Sequence, residues 1–107
     1  MTRTPRPGTV VRGSRTGKPV MALLDLLGRR WALRVIWELR DGPLTSRALR
    51  GACGGISPTV LNDRTRELRD SGLIGLEDDG YALTQLGREL LANFAPLAAW
   101  AEKWARR

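Results

Sequence analysis

Apolar residues recur along the chain in separate blocks, and their spacing predicts the elements. Met21, Leu23, Leu24, Leu26 and Leu27 form a short apolar helix that stops at Gly28, read as a left-handed cap. Trp31, Val35 and Leu39 recur every four residues, with Leu33, Ile36 and Trp37 beside them. This predicts a second helix over residues 30–40, ended by Asp41-Gly42-Pro43 because proline cannot continue it. Thr45 is suited to cap a third helix reaching residue 52, with Leu49 on its apolar side. The "CGG" of residues 53–55 is read as a turn. Ser57 as N-cap and Pro58 at the first helical position open a fourth helix, since proline lacks the amide that would be orphaned there. Ser71-Gly72 closes it. Residues 73–77 and 81–84 read as two short strands, with Asp79-Gly80 expected to supply the positive φ angles of a tight turn. Thr84 caps a last helix from Gln85 onward, whose Leu86, Leu90, Phe94, Leu97, Ala101 and Trp104 fall on one stripe. Pro96 predicts a kink or restart there.

Short helices followed by a hairpin are the plan of a winged helix domain. The expected fold is mainly α with a small β-hairpin, a winged helix-turn-helix, with its N- and C-terminal helices forming a dimer interface. Residues 19–107 make up this domain, the last helix serving dimerisation.

The fourth helix, "SPTVLNDRTRELRD", is the most polar. At about 100° per residue, Leu61, Thr65 and Leu68 share one side, with Val60 and Arg64 along its edge. Thr59, Asn62, Asp63, Arg66 and Asp70 lie opposite, with Arg69 at the margin. Mixed charge on a helix face is usually just solvated. However, arginine presents a fork that fits guanine O6 and N7, and asparagine can pair with adenine. Thr59 suits a thymine methyl or a phosphate, and Ser57 with the first-turn amides suits a phosphate. Asp63 is repelled by phosphate, so it either accepts from cytosine N4 or orients Arg66 or Arg69. The layout favours DNA, because a helix placed after a short helix and a glycine-rich turn is the one that enters the major groove.

Charge changes the picture at the N-terminus. The chain carries a net +7, and residues 1–18 hold Arg3, Arg6, Arg12, Arg15 and Lys18 with no acidic residue. With its Pro, Gly and Thr content, this segment reads as a disordered basic arm. It is either a solvated tail or an arm that follows phosphates or the minor groove. A basic balance favours polyanions. No apolar run approaches the roughly 20 residues that cross a bilayer, and the basic N-terminus lacks an apolar signal core. No membrane partner is expected, and the cytoplasm is the default location.

These residues resemble the HxlR-type winged helix-turn-helix transcriptional regulators of bacteria. The resemblance rests on "ALLDLLGRRW" (22–31), "ELRDGPLTSRALR" (38–50), "GISPTVLNDRTRELRDSGLI" (55–74) and "YALTQLGRELL" (81–91). The Gly-Ile-Ser-Pro lead-in is fairly specific, whereas the hairpin and "LTxxG" exit are shared with MarR-type proteins. The resemblance implies a homodimer, held by the first and last helices, on an operator of two half-sites in double-stranded DNA. It places DNA contacts on Thr45, Ser46 and Arg47, and on Ser57, Thr59, Asn62, Asp63, Arg64 and Arg66. The face reading supports Thr59, Asn62 and Arg66 independently and adds Arg69, while Arg64 reaches a phosphate only by snorkelling. Met21, Leu24, Leu90, Phe94, Leu97, Trp100, Ala101 and Trp104 are the expected dimer contacts.

The chain departs from that pattern in three places. Lys18 stands where family members often carry a sensing cysteine. The wing tip "EDDG" is short and acidic, so it is expected to contribute little, with the basic arm in its place. Thr65 replaces a buried leucine.

Cys53, the only cysteine, is either a sensor or an incidental thiol, and Trp31, Trp37, Trp100 and Trp104 either line an effector pocket or pack. Catalysis finds no foothold, because there is no His, no zinc-ligand spacing and no phosphate-binding loop. No enzyme activity, metal or cofactor is expected, and nothing supports a small-molecule effector. The alternative function is a winged helix used for protein–protein contact, favoured by Asp63 and the acidic wing. A second alternative is a regulator that senses through Cys53 or a Trp-lined pocket.

Overall fold

The computed structural model describes residues 4–7 and 18–107. Four helices, α1 (Pro19–Leu27), α2 (Ala32–Glu38), α3 (Ser46–Cys53) and α4 (Pro58–Asp70), precede a hairpin of β1 (Ile74–Glu77) and β2 (Gly80–Leu83). A long α5 (Gln85–Ala105) follows. The mainly helical plan with one small hairpin is therefore present. β1 and β2 pair antiparallel, with Ile74 opposite Leu83 and Glu77 opposite Gly80.

The core lies where α2, α3 and α4 meet. Val35, Leu49 and Leu68, one from each helix, are fully buried, and Leu26, Ile36, Leu39, Ile56, Leu61, Leu73 and Leu83 close around them. The three expected side-chain caps are formed. Thr45 Oγ1 accepts from the Ala48 amide at 3.1 Å, Ser57 Oγ from Val60 at 3.2 Å and Thr84 Oγ1 from Gly87 at 3.1 Å. Each satisfies an amide that has no partner inside its helix.

Local geometry corrects several expectations. Gly28 closes α1 in a right-handed conformation, φ −75°, rather than as a left-handed cap. α2 begins at Ala32, not residue 30, because Trp31 stands outside it with φ 76°. Among the described residues Trp31 is the only non-glycine at positive φ. That conformation costs a bulky L-residue about 1–2 kcal/mol. Packing offsets it: the ring lies against the core cluster, and the Arg30 guanidinium sits 5.6 Å from its centroid. α2 also ends two residues early. The amides of Leu39 and Arg40 bond to Ile36 and Trp37, three residues back, which tightens the last turn.

The hairpin turn is Asp78-Asp79, and the positive φ falls on Gly80 alone, at 121°, as the first residue of β2. A β-carbon on Gly80 would lie 2.3 Å from the Leu44 carbonyl oxygen. That closeness lets Leu44 and Tyr81 exchange backbone hydrogen bonds of 3.0 and 2.8 Å, tying the hairpin to the segment that leads into α3.

α5 seats by a similar close approach. A β-carbon on Gly87 would lie 2.0 Å from the Leu73 carbonyl oxygen. Beside it, Thr84 Oγ1 donates to the Gly72 carbonyl at 2.6 Å. Alanine would gain about 1 kcal/mol of helix propensity, against an overpacking cost of about 1–3 kcal/mol or more. The clash prevails, so Gly87→Ala is expected to lower the urea unfolding midpoint; an unchanged or raised midpoint would contradict the packing described. Helix α5 runs through Pro96 without a restart. Its first half leans Leu90 and Leu91 on the core, but every residue from 95 to 107 is exposed.

Candidate nucleic-acid interface

α3 and α4 meet across a turn in which Gly54 and Gly55 have φ of 60° and 85°. In front of that turn lies an open cleft of about 520 Å³, bounded by Arg47, Arg50, Gly51, Gly54, Gly55, Ile56, Ser57 and Pro58. Two guanidinium groups one turn apart therefore border the N-terminus of α4, whose partial positive charge favours anions. Sequence reasoning named Arg47 and Ser57 but missed Arg50. The signal was present in the three-residue spacing of Arg47 and Arg50.

Along α4, the two faces expected from the sequence are distinct. Leu61, Thr65 and Leu68 are buried. Thr65 fits the apolar stripe by donating its hydroxyl hydrogen to the Asn62 carbonyl at 3.1 Å. Thr45, Ser46, Arg47, Ser57, Thr59, Asn62 and Arg69 are exposed, and Asp63 and Arg66 half-exposed. Asp63 Oδ1 lies 3.7 Å from an Arg66 nitrogen. Of the two roles considered for Asp63, this geometry matches the ion pair.

Arg64 sits differently. Its Nε donates to the Arg30 carbonyl at 2.7 Å and a terminal nitrogen to Glu67 Oε1 at 2.8 Å. The guanidinium is turned toward the body, engaged through Nε and one terminal nitrogen. Glu67 itself escaped sequence reasoning. It is buried, and its second oxygen takes a 2.6 Å hydrogen bond from Arg29, whose other arm lies 3.5 Å from Asp25. The signal was the 60–64–67 row, which runs along the edge of the buried stripe.

The hairpin tip exposes Glu77, Asp78 and Asp79. Of the basic arm, Arg3, Arg12 and Arg15 lie outside the described residues. Arg6 and Lys18 are exposed, and Pro5, just before Arg6, is buried. Thr4 Oγ1 lies 3.4 Å from Asp70 Oδ2. Residues 4–7 thus lie against the body rather than free of it.

Cys53 is the last residue of α3, not part of the turn, and is buried in the core. Burial pushes its thiol pKa up; Glu38 adds to the shift and Arg34 opposes it. Such a thiol is protonated at neutral pH and a poor nucleophile, which disfavours sensing there.

The tryptophans do not gather round one cavity. Trp31 packs on the core, and Arg40 stacks 4.2 Å from the centroid of Trp37. Trp100 and Trp104 stack on each other at 6.4 Å and 10°. A cleft of about 330 Å³ beneath Pro5 and Pro7 is lined by Ala22, Leu23, Leu73, Leu86 and Leu90, without a tryptophan. No helix among the described residues is long and apolar enough to cross a membrane.

The model of the HxlR-like helix-turn-helix family matches residues 26–107. The chain belongs to the HxlR-like family of helix-turn-helix transcriptional regulators. Similar proteins include the HTH-type transcriptional regulator YodB of Bacillus subtilis, 30% identical over 75% of this chain and 78% of that protein. YdeP of the same organism is 30% identical over 85% of this chain and 77% of its own length. The crystal structure of quinone-bound YodB superposes with a TM-score of 0.75, at 31% identity, over 78% of this chain and 96% of that one. The winged helix-turn-helix expectation therefore holds, with the β1–β2 hairpin as the wing.

Proposed function

We propose that this HxlR-like regulator binds an operator of two half-sites as a homodimer, with α4 in the major groove. What carries this reading is the row of exposed Thr59 and Asn62 and half-exposed Arg66 on α4, continuous with the Arg47–Arg50 cleft at its N-terminus. Arg47, Arg50, Thr45, Ser46 and Ser57 hold phosphates and set the register, while Asn62 and Arg66 read base edges. Asp63 steers the Arg66 fork, and Arg69 reaches the backbone. Arg64, held by Arg30 and Glu67, takes no part in contact. The acidic wing tip points its charge away from phosphate, and the basic arm over residues 1–18 supplies sequence-independent attraction instead.

The homodimer reading is supported by apolar surface left exposed among the described residues. Val20 and Leu24 of α1, with Leu86, Leu97, Trp100 and Trp104 of α5, are each more than half exposed. Met21, Leu90, Phe94 and Ala101 complete the proposed contact. A patch of this kind on α1 and α5 marks an interface.

The experiment is Arg66→Ala, with affinity measured on a selected operator and on random duplex. The operator is expected to lose about 1–3 kcal/mol, with random duplex nearly unchanged. Equal losses on both would sink a base-reading role for Arg66.

A further inference from the structure

Helix α1, which carries exposed apolar residues, and helix α4, which carries the exposed polar row, make only marginal backbone contact; α1 packs on α2 instead. What joins them directly is a run of buried charge. Arg29, two residues beyond α1, has its side chain 8% exposed and donates to Glu67 Oε2 at 2.6 Å, while Glu67 is 4% exposed. The other Glu67 oxygen takes Arg64 at 2.8 Å, and Arg64 Nε returns to the Arg30 carbonyl at 2.7 Å. Asp25 of α1 lies 3.5 Å from Arg29. Each carboxylate oxygen of Glu67 thus has its own arginine, and the path runs unbroken from α1 through the α1–α2 turn to the flank of α4.

Stability alone is a weak reason for such an arrangement. Apolar residues of similar volume often replace a buried ion pair at no loss, because desolvation offsets the attraction. Charge-assisted hydrogen bonds supply direction, which apolar contact lacks. Leu61, Thr65 and Leu68 can seat α4 while leaving its roll about its own axis loosely set. Two hydrogen bonds from opposite ends of the Arg64–Glu67 row fix that roll.

We propose that Arg29, Glu67 and Arg64 form a positioning clamp that sets the angle of α4 relative to α1, and thereby the half-site spacing the dimer accepts. The inference rests on the reading of a dimer joined through α1 and α5. None of the three residues touches DNA; they act by fixing where α4 sits relative to the dimer-forming α1.

The test uses the full chain and a series of duplexes carrying its selected half-sites, with the spacing changed one base pair at a time. Each base pair added rotates and displaces the second half-site, so the parent is expected to lose roughly tenfold per step. The variant Arg29→Met/Glu67→Leu keeps the packing and removes the direction. It is expected to remain dimeric and bind a single half-site like the parent, while its loss per step falls to about threefold or less. A folded double variant that keeps the parent's sharp optimum overturns the clamp, as does one weakened equally at every spacing. Glu67→Asp, which keeps the charge and shortens its reach, gives the same two outcomes if the double variant does not fold. If the parent itself selects no paired half-sites, the dimeric reading fails and the clamp with it. A sharp optimum in parent and variants alike defeats the clamp only.

Discussion

Glu67→Ala is expected to lose about 3–5 kcal/mol of folding stability, the cost of leaving a buried charge without its partner. Arg29 would remain, with its side chain 8% exposed, having lost its 2.6 Å hydrogen bond and keeping the longer 3.5 Å contact to Asp25. Domains of this size have about 5–15 kcal/mol in total, so one substitution would remove a large share. Comparison with the surface pairs decides how special this is. Arg34 and Glu38 approach to 2.7 Å with the arginine side chain half exposed, and such a pair contributes about 0.2–1 kcal/mol. Urea unfolding of Glu67→Ala beside Glu38→Ala checks the difference. Midpoints that fall equally would mean that water reaches the Arg29–Glu67 pair and that it is no more than a surface bridge.

The double substitution Leu97→Asp/Trp100→Asp is expected to leave a folded monomer that has lost most of its operator affinity. Both side chains are more than half exposed in the chain, so the body loses little. In a dimer each would bury apolar surface worth about 1.5–3 kcal/mol, and a carboxylate there would have to be desolvated. Once the half-sites are bound by separate monomers, the effective-concentration advantage of the linked pair disappears. Operator affinity is then expected to fall by roughly 100-fold to 10,000-fold, while non-specific binding per monomer changes little. Sedimentation and operator titration on one preparation check both. A variant that is still dimeric, or a monomer with parental operator affinity, would refute the assignment of α5.

Much of the architecture was legible because its signals are local. Thr45, Ser57 and Thr84 cap within three residues of themselves, and Pro58 marks the first turn of α4. The polar and apolar faces of α4 follow from its period alone. The signals that were missed depend on residues distant in sequence. The 60–64–67 row puts Glu67 at the edge of the buried stripe, but its partner Arg29, which lets the charge be buried, is 38 positions away. Trp31 reads as a helical residue because nothing in its neighbourhood announces a left-handed backbone, which only the surrounding core can hold. Arg64 lies on the boundary between the faces, and hydrogen bonds to the Arg30 carbonyl and to Glu67, not its angle on the helix, decide which way it turns. Arg50 shares a face with Arg47 by its three-residue spacing, but its place beside Ser57 depends on the α3–α4 turn.

Selection from random duplex DNA, read by sequencing, decides whether this chain reads paired half-sites through α4. The expected outcome is enrichment of a motif with two half-sites related by a two-fold axis, and an Arg66→Ala chain that enriches the same spacing with one position in each half-site relaxed. No enrichment over random sequence, or a parental motif that Arg66→Ala leaves unchanged, would contradict it.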